Sequence, residues 1–270
     1  AVAAAHHLLL ADGLGVDALR GTVGAPGAEI GITLNPYPVV AAGDTVLDRD
    51  AARRVDGIAN RIWYDPILRG AYPDDVLADV SAVSDLAHIR DGDLAVISRP
   101  IDAMGLNYYL RHHVRHVEGA SAGPSTWPGS PDVELVDPPG PVTDLGWAIE
   151  PDGLHECLVA LTRGYDAPPL YVHENGAAFA DDRVGPDGTV DDADRIAFID
   201  AHVRACARAI DDGVDLRGYV AWSLLDNFEW AEGYRKRFGL VHVDPVTLAR
   251  TPKASARWYA ELVRGAGRVA

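Results

Sequence analysis

Tyr171-Val172-His173-Glu174-Asn175-Gly176 carries more information than any other stretch of this chain. The short apolar run Pro169-Leu170-Tyr171-Val172 leads into a carboxylate and then into an Asn-Gly turn. In an α/β barrel a buried parallel strand ends in this way, with its last side chains aimed at the mouth of the pocket. A second run repeats the pattern: Gly218-Tyr219-Val220-Ala221-Trp222-Ser223 leads to Asp226-Asn227-Phe228-Glu229-Trp230. Glu, Trp and Asn gathered at strand ends suit a polyol ligand, because indole faces stack on C–H groups and carboxylates accept from hydroxyls.

Working outward, two further apolar runs read as strands, Ile30-Gly31-Ile32-Thr33-Leu34-Asn35 and Ala103-Met104-Gly105-Leu106-Asn107-Tyr108-Tyr109. Helices are predicted over the opening residues through Arg20, from Asp48 (as cap) to Ile67, from Pro151 to Arg163, from Asp191 to Asp212 and from Lys253 to Arg264. The acids Asp191, Asp192 and Asp194 are read as complements of a helix dipole rather than as catalytic groups. Residues 118–145, rich in Gly, Pro and Ser, predict a long loop at a site rim, and Gly185-Pro186-Asp187-Gly188 a turn. Neither an internal repeat nor a domain linker is evident.

Four strands alternating with helices predict an α/β chain holding about the last four βα units of a TIM (β/α)8 barrel, since closure needs eight strands. An open four-stranded parallel sheet would leave two edges unpaired. The opening stretch Ala1 to Gly13 is already helical in composition and has no Ser, Thr, Asp or Asn cap before it. It therefore reads as a helix cut partway along. Residues 1–270 are then expected to be the C-terminal half of a single barrel domain, with the N-terminal half absent.

Composition narrows the function classes. The chain of 270 residues is 48% hydrophobic and carries 24 basic against 40 acidic side chains, a formal net charge of −16. Such a surface repels nucleic acid and anionic membrane, so neither is expected as a partner. No run of apolar residues reads as a membrane span or a secretory signal, and a cytoplasmic location is the default expectation. Cys157 and Cys206 are read as small buried apolar residues. His112, His113 and His116 lack a completing acid or cysteine and are read as solvated loop histidines, so no metal is expected. His6 and His7 are read as structural, and Trp63, Trp127 and Trp258 as packing residues.

The motifs resemble a known family. AAHHLLLADG (residues 4–13), IGITLNPYPV (30–39), GLNYY (105–109), DLGWAIEPDGL (144–154), YVHENGAAF (171–179), GYVAWSLLDNFEWAEGYRKRFGLVHVD (218–244) and RTPKASARWYAELV (250–263) are together similar to the C-terminal half of glycoside hydrolase family 1, the β-glucosidases. The resemblance covers essentially the whole chain. It implies a retaining mechanism, in which two carboxylates about 5 Å apart act as nucleophile and acid/base. Glu174, in the Glu-Asn-Gly motif, matches the nucleophile, and Tyr109 the tyrosine that hydrogen-bonds it. Asn107, Trp222, Glu229, Trp230 and Phe238 match the glycone pocket. There Trp222 is the platform under the sugar, Glu229 the acceptor for two hydroxyls, and Trp230 an indole donor. Trp147 matches an aglycone-side platform.

Relatives acting on 6-phosphoglycosides carry serine where Glu229 stands, so an unphosphorylated β-glycoside is implied. The resemblance implies no cofactor. His173 stands where relatives often have threonine, and is read as packing on the far side of the strand, with tuning of Glu174 as the alternative. The family's Asn-Glu-Pro acid/base motif is absent; Asn35-Pro36 has no glutamate between its members and matches the next strand. Loss of general acid catalysis is worth about 10²–10⁴-fold. This chain alone is therefore expected to be inactive, with its own N-terminal half as a possible partner. The alternative is a non-catalytic remnant that binds sugar or a partner half.

Overall fold

The computed structural model describes residues 1–22, 27–118, 126–137, 139–181, 184–186 and 188–265. Residues 119–125 and Pro138 of the expected rim loop and Asp187 of the expected turn lie outside the described residues. The described residues gather into two compact units that interleave along the sequence. One comprises Ala1–Leu106, Arg111–Pro138 and Ala160–Leu170; the other comprises Asn107–Leu110, Pro139–Val159 and Tyr171–Ala270.

In the first unit, helix α1 (Val2–Thr22) buries His6, Leu9, Gly13 and Val16. His6 bonds Tyr72 and Asp93, each at 2.9 Å, which ties α1 to helix α5 (Asp93–Ile97). The expectation for the opening histidines holds for His6. Among the described residues α1 is also long and apolar enough to cross a membrane by length and composition, which the sequence reading had not allowed. Strands β1 (Gly31–Leu34) and β3 (Ala103–Asn107) pair in parallel, Ile32 opposite Met104 and Leu34 opposite Leu106.

Helix α2 (Val46–Asp56) starts earlier than expected. Thr45, not Asp48, is the cap: its hydroxyl accepts from the Asp48 N–H at 3.0 Å while the Asp48 carboxylate accepts from the Thr45 backbone, a reciprocal capping box. The helix then widens into a π turn (Gly57–Arg61) before α3 (Ile62–Arg69). The break lies one turn ahead of Pro66, which has no N–H for the Ile62 carbonyl and crowds it. Helix α4 (Asp74–Val80) follows, and its acids meet a guanidinium web: Arg53 bonds Asp75 and Asp79, and Arg61 bonds Asp75, all at 2.8 Å. A small sheet joins β2 (Val39–Ala41) to β4 (His112–His116) in parallel and β4 to β5 (Val133–Leu135) antiparallel.

The second unit holds α6 (Pro151–Gly164) as far as Val159, β6 (Leu170–Asn175) from Tyr171 on, α7 (Ala193–Asp211) and β7 (Leu216–Ala221). The strand pair β8 (Val241–Val243) and β9 (Arg250–Pro252) leads into α8 (Ala254–Arg264). Strand β6 lies beside β7. Ala177, Phe198, Ile199 and Leu240 form its core, with Tyr219, Trp258 and Tyr259 packed on them. Trp258 is thus the packing residue expected of it. Cys157 and Cys206 are both buried, as expected.

Among the described residues five short strands (β2, β4, β5, β8 and β9) join the four that the sequence reading placed. The three histidines are corrected accordingly. They lie on strand β4 rather than in a loop: His112 stacks on Tyr37 with centroids 4.3 Å apart, and His116 bonds Asp132 at 2.9 Å. Burial foremost, with His113 adding, pushes the His112 imidazole down to about 4. Trp63 and Trp127 are partly buried, and the Trp127 ring meets that of His112 edge-on at 5.1 Å. Both also line a cavity of about 350 Å³ together with Asn35, Tyr37 and Asn60.

Candidate active site

All the expected site residues fall in the second unit. Val172 and Asn175, at alternate-face positions of β6, are fully buried, and Glu174 between them is half-buried. By the period of two Glu174 shares a face with the buried Leu170 and Val172 and is the last residue of that row. His173 is exposed, and its ring lies 5.8 Å from that of Tyr171 on the same face of the strand.

The hydroxyl of Tyr109 donates to Oε2 of Glu174 at 2.7 Å. Tyr109 is held from below by its neighbour. Tyr108 is fully buried, its N–H donates to the Glu174 carbonyl at 2.9 Å, and its hydroxyl donates to the Glu150 carbonyl at 2.7 Å. The Tyr109 ring meets Trp147 edge-on at 5.6 Å and Phe238 at 6.4 Å, and Trp147 and Phe238 lie 6.1 Å apart. These distances suit mutual aromatic contact. Two residues upstream, Oδ1 of Asn107 is buried without a hydrogen-bond partner among the described residues. An acceptor left so costs about 1–3 kcal/mol, which a ligand hydroxyl could return.

Trp222 closes β7. Its N–H donates to the Asn175 carbonyl at 2.9 Å, and its peptide bond to Ser223 is cis. The loop beyond it carries Glu229, whose N–H donates to the Gly233 carbonyl at 2.7 Å. The Glu229 carboxyl is pushed above the ordinary glutamate range, first by burial, then by the charge of Glu174, then by that of Glu232. The charge of Glu174 thus reaches Glu229, and an acid perturbed by burial and a neighbouring carboxylate is a frequent mark of a site. Trp230 stands apart: it is 83% exposed, with φ at +40°, and makes no ring contact with this group among the described residues.

The sequence reading passed over the residues beneath the site. Asp226 accepts from the Gly239 N–H at 2.9 Å and from Lys253 Nζ at 2.9 Å, and pairs with Arg237 at 3.1 Å. Lys253 also bonds Asp181 at 2.7 Å, and Arg195 pairs with Asp181 and Asp192. Three carboxylates (181, 192, 226) thus face three cations (195, 237, 253) below the loop that bears Glu229 and Phe238. Among the described residues no cluster of His, Cys, Asp and Glu could hold a metal ion.

The profile described as "Glycosyl hydrolase family 1" matches residues 1–268. A bifunctional β-D-glucosidase/β-D-fucosidase of Bifidobacterium breve is 45% identical over 268 residues, which is 96% of this chain and 56% of that one. A β-glucosidase of Agrobacterium sp. is 40% identical over 270 residues, 98% of this chain and 55% of its own length. The crystal structure of a psychrophilic β-glucosidase from Micrococcus antarcticus superposes with a TM-score of 0.90 at 44% identity, covering 99% of this chain and 59% of that one. The chain thus spans little more than half the length of the relatives it matches. Its fold class is that of the TIM (β/α)8 barrel, as a partial barrel. A match along almost its whole length, joined to relatives at this identity, places the chain in glycosyl hydrolase family 1.

Proposed function

We propose that the chain carries the nucleophile side of a retaining β-glycosidase of the β-glucosidase type, acting on terminal unphosphorylated β-D-glycosides. The observation that carries this reading is the 2.7 Å hydrogen bond from Tyr109 to Oε2 of Glu174. It engages one carboxylate oxygen and leaves Oε1 to attack the anomeric carbon. As the Glu174–sugar bond forms, the bond from the anomeric carbon to the aglycone oxygen breaks, and that oxygen takes a proton from a second carboxylic acid. Water then displaces Glu174 from the sugar, giving its proton to the same second carboxylate.

In this reading the second carboxylate comes from outside these 270 residues, as the remainder of a single barrel domain. Glu229 is the acceptor for glycone hydroxyls, Asn107 offers a further acceptor, Trp222 is the platform under the sugar and Trp230 an indole N–H donor. Phe238 is part of the pocket wall and Trp147 the aglycone-side platform, both in ring contact with Tyr109 and with each other. The names of the relatives, β-glucosidase in each and β-D-fucosidase as well in one, supply the substrate class.

The test is trapping with a 2-deoxy-2-fluoro-β-glucoside that bears a good leaving group. The chain is used alone and together with a supplied N-terminal half from a family relative, and the product is mapped by peptide mass. The expected result is one glycosyl adduct, on Glu174. An adduct on another residue, or undiminished turnover after Glu174→Ala, sinks the reading.

A further inference from the structure

The side chain of Asn175 is fully buried directly after the proposed nucleophile. Its Nδ2 donates to the Tyr108 carbonyl at 2.8 Å, and its Oδ1 accepts from the Tyr219 hydroxyl at 2.7 Å. The Tyr108 carbonyl belongs to the peptide unit that enters Tyr109, whose hydroxyl holds Glu174. A closed ring of bonds therefore runs from the Glu174 carboxylate through the Tyr109 side chain and its preceding peptide to the Asn175 amide. It returns along the backbone to Glu174. The Tyr108 N–H on the Glu174 carbonyl, at 2.9 Å, braces this ring from inside.

An amide side chain has a donor end and an acceptor end, and here both ends are committed. Without the Tyr219 hydroxyl, Oδ1 would be a buried acceptor with no donor, and the amide would tilt in search of one. Burial holds the Tyr219 phenol well above the ordinary tyrosine range, so it stays a donor at every working pH. Its own carbonyl is fixed by the Tyr259 hydroxyl at 3.1 Å.

We propose that Tyr219 is a positioning residue for the nucleophile: through Asn175 it fixes the peptide ahead of Tyr109 and so sets the Tyr109–Glu174 hydrogen bond. The proposal rests on the reading of Glu174 as nucleophile only for its functional meaning; the mechanical link stands without it.

The test uses the full chain labelled with 13C at tyrosine Cζ. The Tyr109 resonance is assigned by its loss in Tyr109→Phe, and Glu174→Gln marks its position when the charged acceptor is gone. Tyr219→Phe is expected to move the Tyr109 resonance most of the way to the Glu174→Gln position. A Tyr109 resonance that stays in place in Tyr219→Phe overturns the proposal. A second measurement needs no variant. In the wild-type chain the two side-chain amide protons of Asn175 are expected to be well separated and to exchange with solvent as slowly as core backbone amides. Coincident or rapidly exchanging protons also overturn it. Trapping on Glu174 is followed in parallel. Absence of the adduct with the resonance link intact fails the functional reading alone, whereas an adduct without the link fails this proposal alone.

Discussion

Lys253 places its ammonium 2.9 Å from Oδ1 of Asp226, and none of its side chain is exposed. Asp226 in turn holds the Gly239 and Val243 amides, so this ion pair anchors both the entry and the exit of the loop that carries Glu229 and Phe238. Lys253→Met would leave the carboxylates of Asp181, Asp192 and Asp226 against only Arg195 and Arg237. Removing one member of a buried ion pair costs about 3–5 kcal/mol. The expected outcome is a loss of that size in urea unfolding of the chain followed by tryptophan fluorescence. Asp226→Asn added to Lys253→Met should cost less than the two separate losses combined, because the second change removes the stranded charge. A fully additive pair would contradict the direct linkage.

The second prediction concerns Glu229. Its carboxyl is raised by burial and by the charges of Glu174 and Glu232, in that order. Between the unfolded value and this raised folded value the native chain binds more protons than the unfolded one. The contribution of Glu229 to stability therefore falls as pH rises through that window, and its cost is absent below it. Glu174→Gln removes one of the two charges and should lower the Glu229 titration toward the ordinary range without reaching it, because burial and Glu232 remain. Carbon-13 titration of glutamate carboxyls measures this directly. An unchanged Glu229 midpoint in Glu174→Gln would mean that the two acids do not share a field.

Legibility in the sequence follows the range of the interaction. Glu174 and Tyr109 are 65 positions apart, yet both were readable, because each lies at or just beyond the end of an apolar run and each belongs to a family motif. The link between Lys253 and Asp181, 72 positions apart, was not readable. A lysine ahead of a helix looks like any solvated residue until tertiary packing encloses it. The start of α2 carried a signal that was passed over: Thr45 followed three positions later by Asp48 is a capping box, and the acid is its third helical residue rather than its cap. Strand β4 offered one fully buried apolar residue, Val114, among histidines and an arginine, too little for a period of two to declare itself. Tyr219 was visible as a strand residue, but its hydroxyl found its meaning only against Asn175, 44 positions away.

The last prediction concerns Gly176, the turn residue after the Glu-Asn pair. A Cβ added there would lie 1.8 Å from the Trp222 carbonyl oxygen and 2.9 Å from its carbon, so the ends of β6 and β7 approach as closely as a glycine permits. The obstacle is backbone, which cannot swing aside as a flexible side chain does. Gly176→Ala must therefore push the Trp222 peptide away, stretching the 2.9 Å bond from its N–H to the Asn175 carbonyl. Overpacking of this kind costs about 1–3 kcal/mol. The displacement should also reach the site, because Trp222 and Glu174 are both held from the same Asn175 strand end. The expected outcome is lower unfolding stability together with a shifted indole N–H resonance for Trp222. Gly176→Ala with wild-type stability and an unmoved Trp222 signal would show that the two strand ends have room the close approach denies them.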